Sequence, residues 1–161
     1  MSIVVIICGR SKVNDELVAV AGSLAESRWS DLLLLGVADV PPWIKTLAPL
    51  AGGHFCVKTA SIGLQTEIEI ELRRCIALVP ATVAARHACF TGWNDQQLWQ
   101  LLGLEDRPSI IAALAGPVSR NRRKLQALVT HLSGVLVLVQ TGSSVSAAQP
   151  ELERDVARSS L

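Results

Sequence analysis

The hydrophobic pattern of the chain alternates between short unbroken apolar runs and stretches with helical spacing. Ile3 to Cys8 and Asp31 to Val37 are apolar runs of strand length, as expected of strands covered on both faces. Between them Leu17, Val20, Ala21 and Leu24 form a helical stripe, with Asn14 placed to cap it and Val13 and Val18 as a hydrophobic staple. Pro41-Pro42 opens a short helix through Trp43, Leu47 and Leu50, Gly52-Gly53 closes it, and His54 to Lys58 reads as a third strand. The order βαβαβ predicts a parallel sheet with flanking helices, hence an α/β fold.

Glu67 to Val79 fits both periods. Glu-Ile-Glu-Ile-Glu-Leu alternates like a half-exposed strand, while Ile68, Leu72, Cys75, Ile76 and Val79 form a helical stripe. The i,i+4 pair Glu69 and Arg73 favours helix at first, followed by a short strand near Cys75 to Val79. A further helix is stapled by Trp93 and Leu98, capped by Asn94 with Gln97 completing a capping box, and stopped at Gly103. Then the opening is echoed: Ser2-Ile-Val-Val-Ile-Ile-Cys-Gly9 returns as Ser109-Ile-Ile-Ala-Ala-Leu-Ala-Gly116. A strand at Ile110 to Ala115, a helix at Arg120 to Leu132 ended by Gly134, and a strand at Val135 to Val139 follow. The Ser-rich segment 143–161 reads as a mobile polar tail with at most a turn or two of helix around Glu151 to Arg158.

The 161 residues, 50% of them apolar, suffice for one core and exclude two large domains. Fifteen Lys and Arg against fourteen Asp and Glu leave no global field to draw nucleic acid or an anionic membrane, so any basic site must be local. No apolar run approaches the roughly 18 residues of a membrane span, and the chain opens on a strand rather than a signal, which predicts a soluble, cytoplasmic protein. Cys8, Cys56, Cys75 and Cys89 lack CxxC spacing and read as reduced thiols. A mean hydropathy of +0.38 suggests surface covered by a partner subunit or a second copy of the chain.

Three turns follow strands and would share one edge of a parallel sheet: Gly9-Arg10-Ser11-Lys12, Gly116-Pro-Val-Ser119-Arg120 and Thr141-Gly142-Ser143-Ser144. With Arg122, Arg123 and Lys124 they either converge on a polyanion or are ordinary solvated loops. No GxGxxG, no GxxxxGK[ST] and no suitably spaced acid is present, which disfavours a nucleotide fold. His54-x-Cys56 and His87-x-Cys89 would form a His₂Cys₂ zinc set if both segments were adjacent strands; otherwise they are buried thiols and singly bonded imidazoles. His131, late in a helix, suits its C-terminal dipole.

Val5-Ile-Ile-Cys-Gly-Arg-Ser-Lys-Val-Asn-Asp-Glu-Leu-Val-Ala-Val-Ala21 resembles the opening of the sirohydrochlorin-type (cobalt/iron) chelatases, where the first strand runs into a His-Gly-Ser turn and a helix. Ser61-Ile-Gly63-Leu-Gln65, followed by Glu69-Ile70, is similar to the Ser-x-Gly-x-His and Asp-Ile that follow that family's third strand. The resemblance implies a chelatase-like parallel sheet over residues 1–105, a truncated second βαβ repeat over 106–142 on the same sheet or extending it, and the tail at 143–161. It implies tetrapyrrole metabolism of the cobalamin or sirohaem type, with a divalent metal, cobalt or iron, as substrate. The motif histidines correspond here to Cys8 (or Gly9) and Gln65, so metal insertion is expected to be weakened or lost. On this reading Cys8 and Gln65 lie near the metal path, Glu69 accepts or orients a proton, and Gly9, Arg10, Ser11, Lys12, Ser61, Gly63, Ser119 and Arg120 hold the carboxylates of an anionic tetrapyrrole. Two alternatives stay open: a non-catalytic α/β interaction or dimerisation module, and an α/β enzyme acting on a phosphorylated metabolite.

Overall fold

The computed structural model describes residues 1–47, 49 and 54–140. Five strands form one sheet: β1 (Ile3–Ile7), β2 (Leu32–Ala38), β3 (Ala85–Thr91), β4 (Ser109–Ala113) and β5 (Val135–Val139). The spatial order is β3-β2-β1-β4-β5 and every pairing is parallel, with Ile3 opposite both Leu32 and Ser109. This is a doubly wound sheet: the chain builds outward from β1 on one side, then returns to build on the other. Every residue of β1 and β2 is buried, as their unbroken apolar runs require. No helix among the described residues is long and apolar enough to cross a membrane.

Helices α1 (Val13–Arg28) and α3 (His54–Ile76) cover one face, α1 over β1 and β4 and α3 over β2 and β3. Their core holds Ile3, Val5, Ile7, Leu17, Val18, Leu34, Ile68 and Leu72. Alternation along the strands sends Val4, Ile6, Leu33, Leu35 and Ile110 to the opposite face. There they meet Leu98 and Leu102 of α4 (Asp95–Leu102), Val118 of α5 (Gly116–Arg120), and Leu125 and Leu128 of α6 (Arg122–His131). Helix α2 (Pro42–Leu47) is short and lies against α3. Gly36 lets α3 sit close on β2, since a Cβ there would come within 2.5 Å of Ile68 Cγ2 and 2.8 Å of Leu72 Cδ1.

Several expectations change. His54 to Lys58 is the start of a 23-residue helix, not a strand, and the segment around Cys75 ends that helix rather than forming a strand. The stripe Ile68, Leu72 and Cys75, buried against the sheet, is the helical period winning over the Glu-Ile alternation. The third strand is instead Ala85–Thr91, a half-exposed sheet edge with weak β formers. Asn14 lies inside the first turn of α1 and does not cap it, whereas Asn94 does cap α4, accepting from the N–H groups of Gln96 and Gln97. The final helix is broken in two, α5 and α6, joined at Asn121. The echoed segments Ser2–Gly9 and Ser109–Gly116 carry β1 and β4, which are paired neighbours in the sheet. The polar tail and the Thr141 to Ser144 turn lie outside the described residues.

Candidate functional site at the carboxyl ends of β1 and β4

The chain leaves β1 toward β2 on one side, and β4 leads to β5 on the other, so the loops beyond these two central strands diverge. A cavity of about 240 Å³ occupies the gap, lined by Ile6, Cys8, Gly9, Arg10, Ser11 and Asn14 from the first strand and turn and by Ala113 and Ala115 to Val118 from the second. Its floor is apolar, and Arg10 contributes a cation at its edge. Gly9 and Gly116 present backbone without obstruction, since an added Cβ would meet nothing within 4 Å at either. Gly116 has φ of 49°, which disfavours a side chain there.

The β1 turn is held by hydrogen bonds that tie it to α3. Asn14 Nδ2 donates to the Gly9 carbonyl at 2.8 Å and to Glu71 Oε1 at 2.8 Å. Glu71, on α3, also accepts from Arg74 Nε at 2.9 Å and Nη2 at 2.8 Å, and from the Ser11 backbone N–H. Arg74 reaches on to Asp15. The Arg74 hydrogen bonds, aided by Asn14 and Ser11 and opposed by burial, bring the Glu71 carboxyl down to about 2. A buried carboxylate with this many donors is a fixed anchor, tying α3 to the loop that shapes the cavity.

Cys8 sits at the cavity floor. Burial, with the nearby Asp39 carboxylate, pushes its thiol up to about 12, against the opposing influence of Arg120 and the Val118 backbone N–H. Near neutral pH it is therefore a thiol, not the soft thiolate a metal would seek. Asp39, just beyond β2, is 10% exposed and accepts from Arg120 Nη2 at 2.7 Å and Lys45 Nζ at 3.3 Å. A second cleft of about 370 Å³ lies beside it, lined by Asp39, Lys45, Thr91, Gly92, Trp93, Asn94 and Asn121.

The structure thus brings Cys8, Gly9, Arg10 and Ser11 to one cavity with the residues preceding Ser119 and Arg120. Lys12 lies in a neighbouring cleft with Arg10, Asp15 and Arg74. Gln65 and Glu69 do not join them: Gln65 Nε2 donates to Glu69 Oε1 at 3.2 Å and its Oε1 accepts from Thr91 at 3.3 Å, at the end of β3. That is two strands from β1, about 10 Å at the usual strand spacing. Ser61 and Gly63 lie mid-helix in α3, not in a loop after a strand. His87 is exposed on β3 and Cys89 half-buried, while His54 and Cys56 fall in helix α3 rather than an adjacent strand, with their side chains outside the described residues. Among the described residues no group of three His, Cys, Asp or Glu is placed to hold a metal ion. Sequence reasoning missed Asp39, Asn14 and Glu71 as shapers of this edge.

No family model and no curated protein sequence matches the chain. Solved structures do. The neighbours are universal stress proteins. One from Archaeoglobus fulgidus has a TM-score of 0.55 at 10% identity, covering 86% of this chain and 93% of its own. A structure of the protein from that organism in complex with dAMP has a TM-score of 0.50 at 10% identity, covering 87% and 96%. One from Lactobacillus plantarum has a TM-score of 0.51 at 14% identity, covering 86% and 97%. At such identities the likeness establishes the universal stress protein fold and nothing finer.

That fold overturns the chelatase resemblance, and with it the tetrapyrrole, cobalamin and sirohaem readings. The opening strand, turn and helix that suggested it belong to any βα unit, and Ser61-Ile-Gly-Leu-Gln65 matched a loop motif while lying within a helix. The expected α/β parallel sheet is present, formed without a dinucleotide fingerprint.

Proposed function

We propose that the chain is a non-catalytic binding protein for a phosphorylated nucleoside, held at the β1–β4 switch point. The cavity carries this reading, because it places an apolar floor, unobstructed glycine backbone and the cation of Arg10 at the site where doubly wound sheets take ligands. At about 240 Å³ it is smaller than the roughly 300–1,000 Å³ of ordinary ligand pockets, so it accepts one ring system and leaves a phosphate on the rim. Arg10 supplies positive charge there, with Lys12 in the neighbouring cleft and Arg120 paired to Asp39. The dAMP complex of a universal stress protein supports the ligand class by fold analogy. Cys8, whose thiol is pushed up to about 12, offers no nucleophile there near neutral pH, which supports a binding role.

A phosphorylated sugar lacking a base is the second reading, favoured by the small cavity. Calorimetric titration with AMP, adenosine, ribose 5-phosphate and inorganic phosphate separates them. The proposal expects AMP to bind more tightly than either adenosine or ribose 5-phosphate. Equal binding of AMP and ribose 5-phosphate would favour the sugar, and no binding by any of the organic ligands would refute both.

A further inference from the structure

Asp39 has a place no simple anion site would give it: a carboxylate, 10% exposed, beside the cations that would meet a phosphate. Its two oxygens are both engaged, Oδ2 by Arg120 at 2.7 Å and Oδ1 by Lys45 at 3.3 Å. Those partners come from different elements, α5 and α2, and both remain substantially exposed, Arg120 at 45%. The chain leaves the wall of the first cavity at Val118 and enters the wall of the second cleft at Asn121, with Arg120 between them. Asp39, which accepts from Arg120, lines the second cleft. Cys8 at the cavity floor feels both charges, so the pair lies within electrostatic reach of a ligand seated there.

We propose that Asp39 is a specificity-determining residue: an internal counter-ion that occupies Arg120 and Lys45, so that among anionic ligands only one whose phosphate can take those cations from it gains their charge. This rests on the anion-binding reading of the adjacent β1–β4 cavity and deepens it. The two cations are about half exposed, so water screens their hold on Asp39 and a better partner can compete for them. A phosphomonoester dianion offers Arg120 a charge-assisted, bidentate contact and carries twice the charge of a carboxylate. A monoanion gains too little to displace Asp39, and a neutral nucleoside does not compete for the pair. The carboxylate also repels any phosphate that does bind, so its removal strengthens phosphate binding specifically.

The test is titration calorimetry on the full chain at fixed ionic strength, comparing wild type, Asp39→Asn and the double variant Asp39→Asn with Arg120→Gln. Asp39→Asn is expected to tighten AMP roughly three- to tenfold while changing adenosine by less than about twofold. Adding Arg120→Gln is expected to abolish that gain. Asp39→Ser gives the same comparison should the amide form new bonds, and circular dichroism establishes that each variant is folded. Inorganic phosphate is the second probe, because it needs the cations and not the cavity. Tighter phosphate binding in Asp39→Asn supports the counter-ion role even where AMP and adenosine both fail to bind, an outcome that would defeat only the nucleoside reading. Weaker or unchanged binding of phosphate and AMP in Asp39→Asn and Asp39→Ser would overturn the proposal.

Discussion

Exchanging Glu71 for glutamine keeps the size of the side chain and removes the charge that anchors α3 to the loop at Gly9 to Ser11. In the native protein this carboxylate, 1% exposed, gathers Arg74, Asn14 and the Ser11 backbone N–H. Its carboxyl falls from 4.5 to about 2, which corresponds to about 3 kcal/mol at 1.36 kcal/mol per pH unit. Arg74 is 37% exposed, so solvent screens its share and a measured loss of about 2 kcal/mol is the better expectation. The folded-state value lies below the unfolded one, so this stability is fully present above pH 4.5 and drains away as pH falls toward about 2. Urea unfolding followed by circular dichroism, run near neutrality and at descending pH, reads it directly. Glu71→Gln should be less stable than wild type at neutral pH, and the two curves should converge in acid. A difference that persists unchanged in acid would mean the substitution disturbs packing rather than removing a bonded charge. No difference at neutral pH would deny the anchor altogether.

Other consequences are simpler to check. Gly36→Ala drives a methyl group against the buried Ile68 and Leu72, and thermal unfolding should show a loss of about 2 kcal/mol; an unchanged midpoint would mean that α3 is free to withdraw from β2. Trp29 is 97% exposed at φ of 52°, so Trp29→Gly should relieve left-handed strain without losing packing and raise stability by about 1 kcal/mol. Denaturant titration that found a decrease would show that the indole contributes a contact. Cys8, with its thiol pushed up to about 12, should label with iodoacetamide far more slowly in the native than in the urea-unfolded protein at mildly alkaline pH, as mass mapping of the modified peptide would reveal. Rapid native labelling would remove Cys8 from the cavity floor.

The central sheet was readable because its strands are buried on both faces: Ile3 to Ile7 and Leu32 to Ala38 have no polar residue to blur them. Edge strand β3 was not, since Arg86, His87 and Thr91 are exposed and its packing comes from α3, a long-range partner that local pattern does not name. Helix α3 was divided because its apolar start imitates a strand and its Glu-Ile alternation imitates another. The stripe facing β2 becomes decisive only once the sheet is there to receive it. At the candidate site, the cationic turns after β1 and β4 were legible, because glycine and basic residues follow two apolar runs. The roles of Asn14, Asp39 and Glu71 were not. Asn14 and Glu71 stand 57 positions apart in the chain and Asp39 and Arg120 stand 81, and polar residues of such ordinary type carry no local sign of the pairing.

A titration of isotopically labelled protein with AMP, read by amide NMR, tests the central claim most directly. Resonances of Gly9 to Ser11 and of Ala113 to Val118 should shift together and saturably, with Asp39 and Arg120 following as the phosphate engages. Shifts confined to the groove between α4 and α6, around Trp99 and His131, or no saturable shift at all, would contradict a nucleoside phosphate site at the ends of β1 and β4.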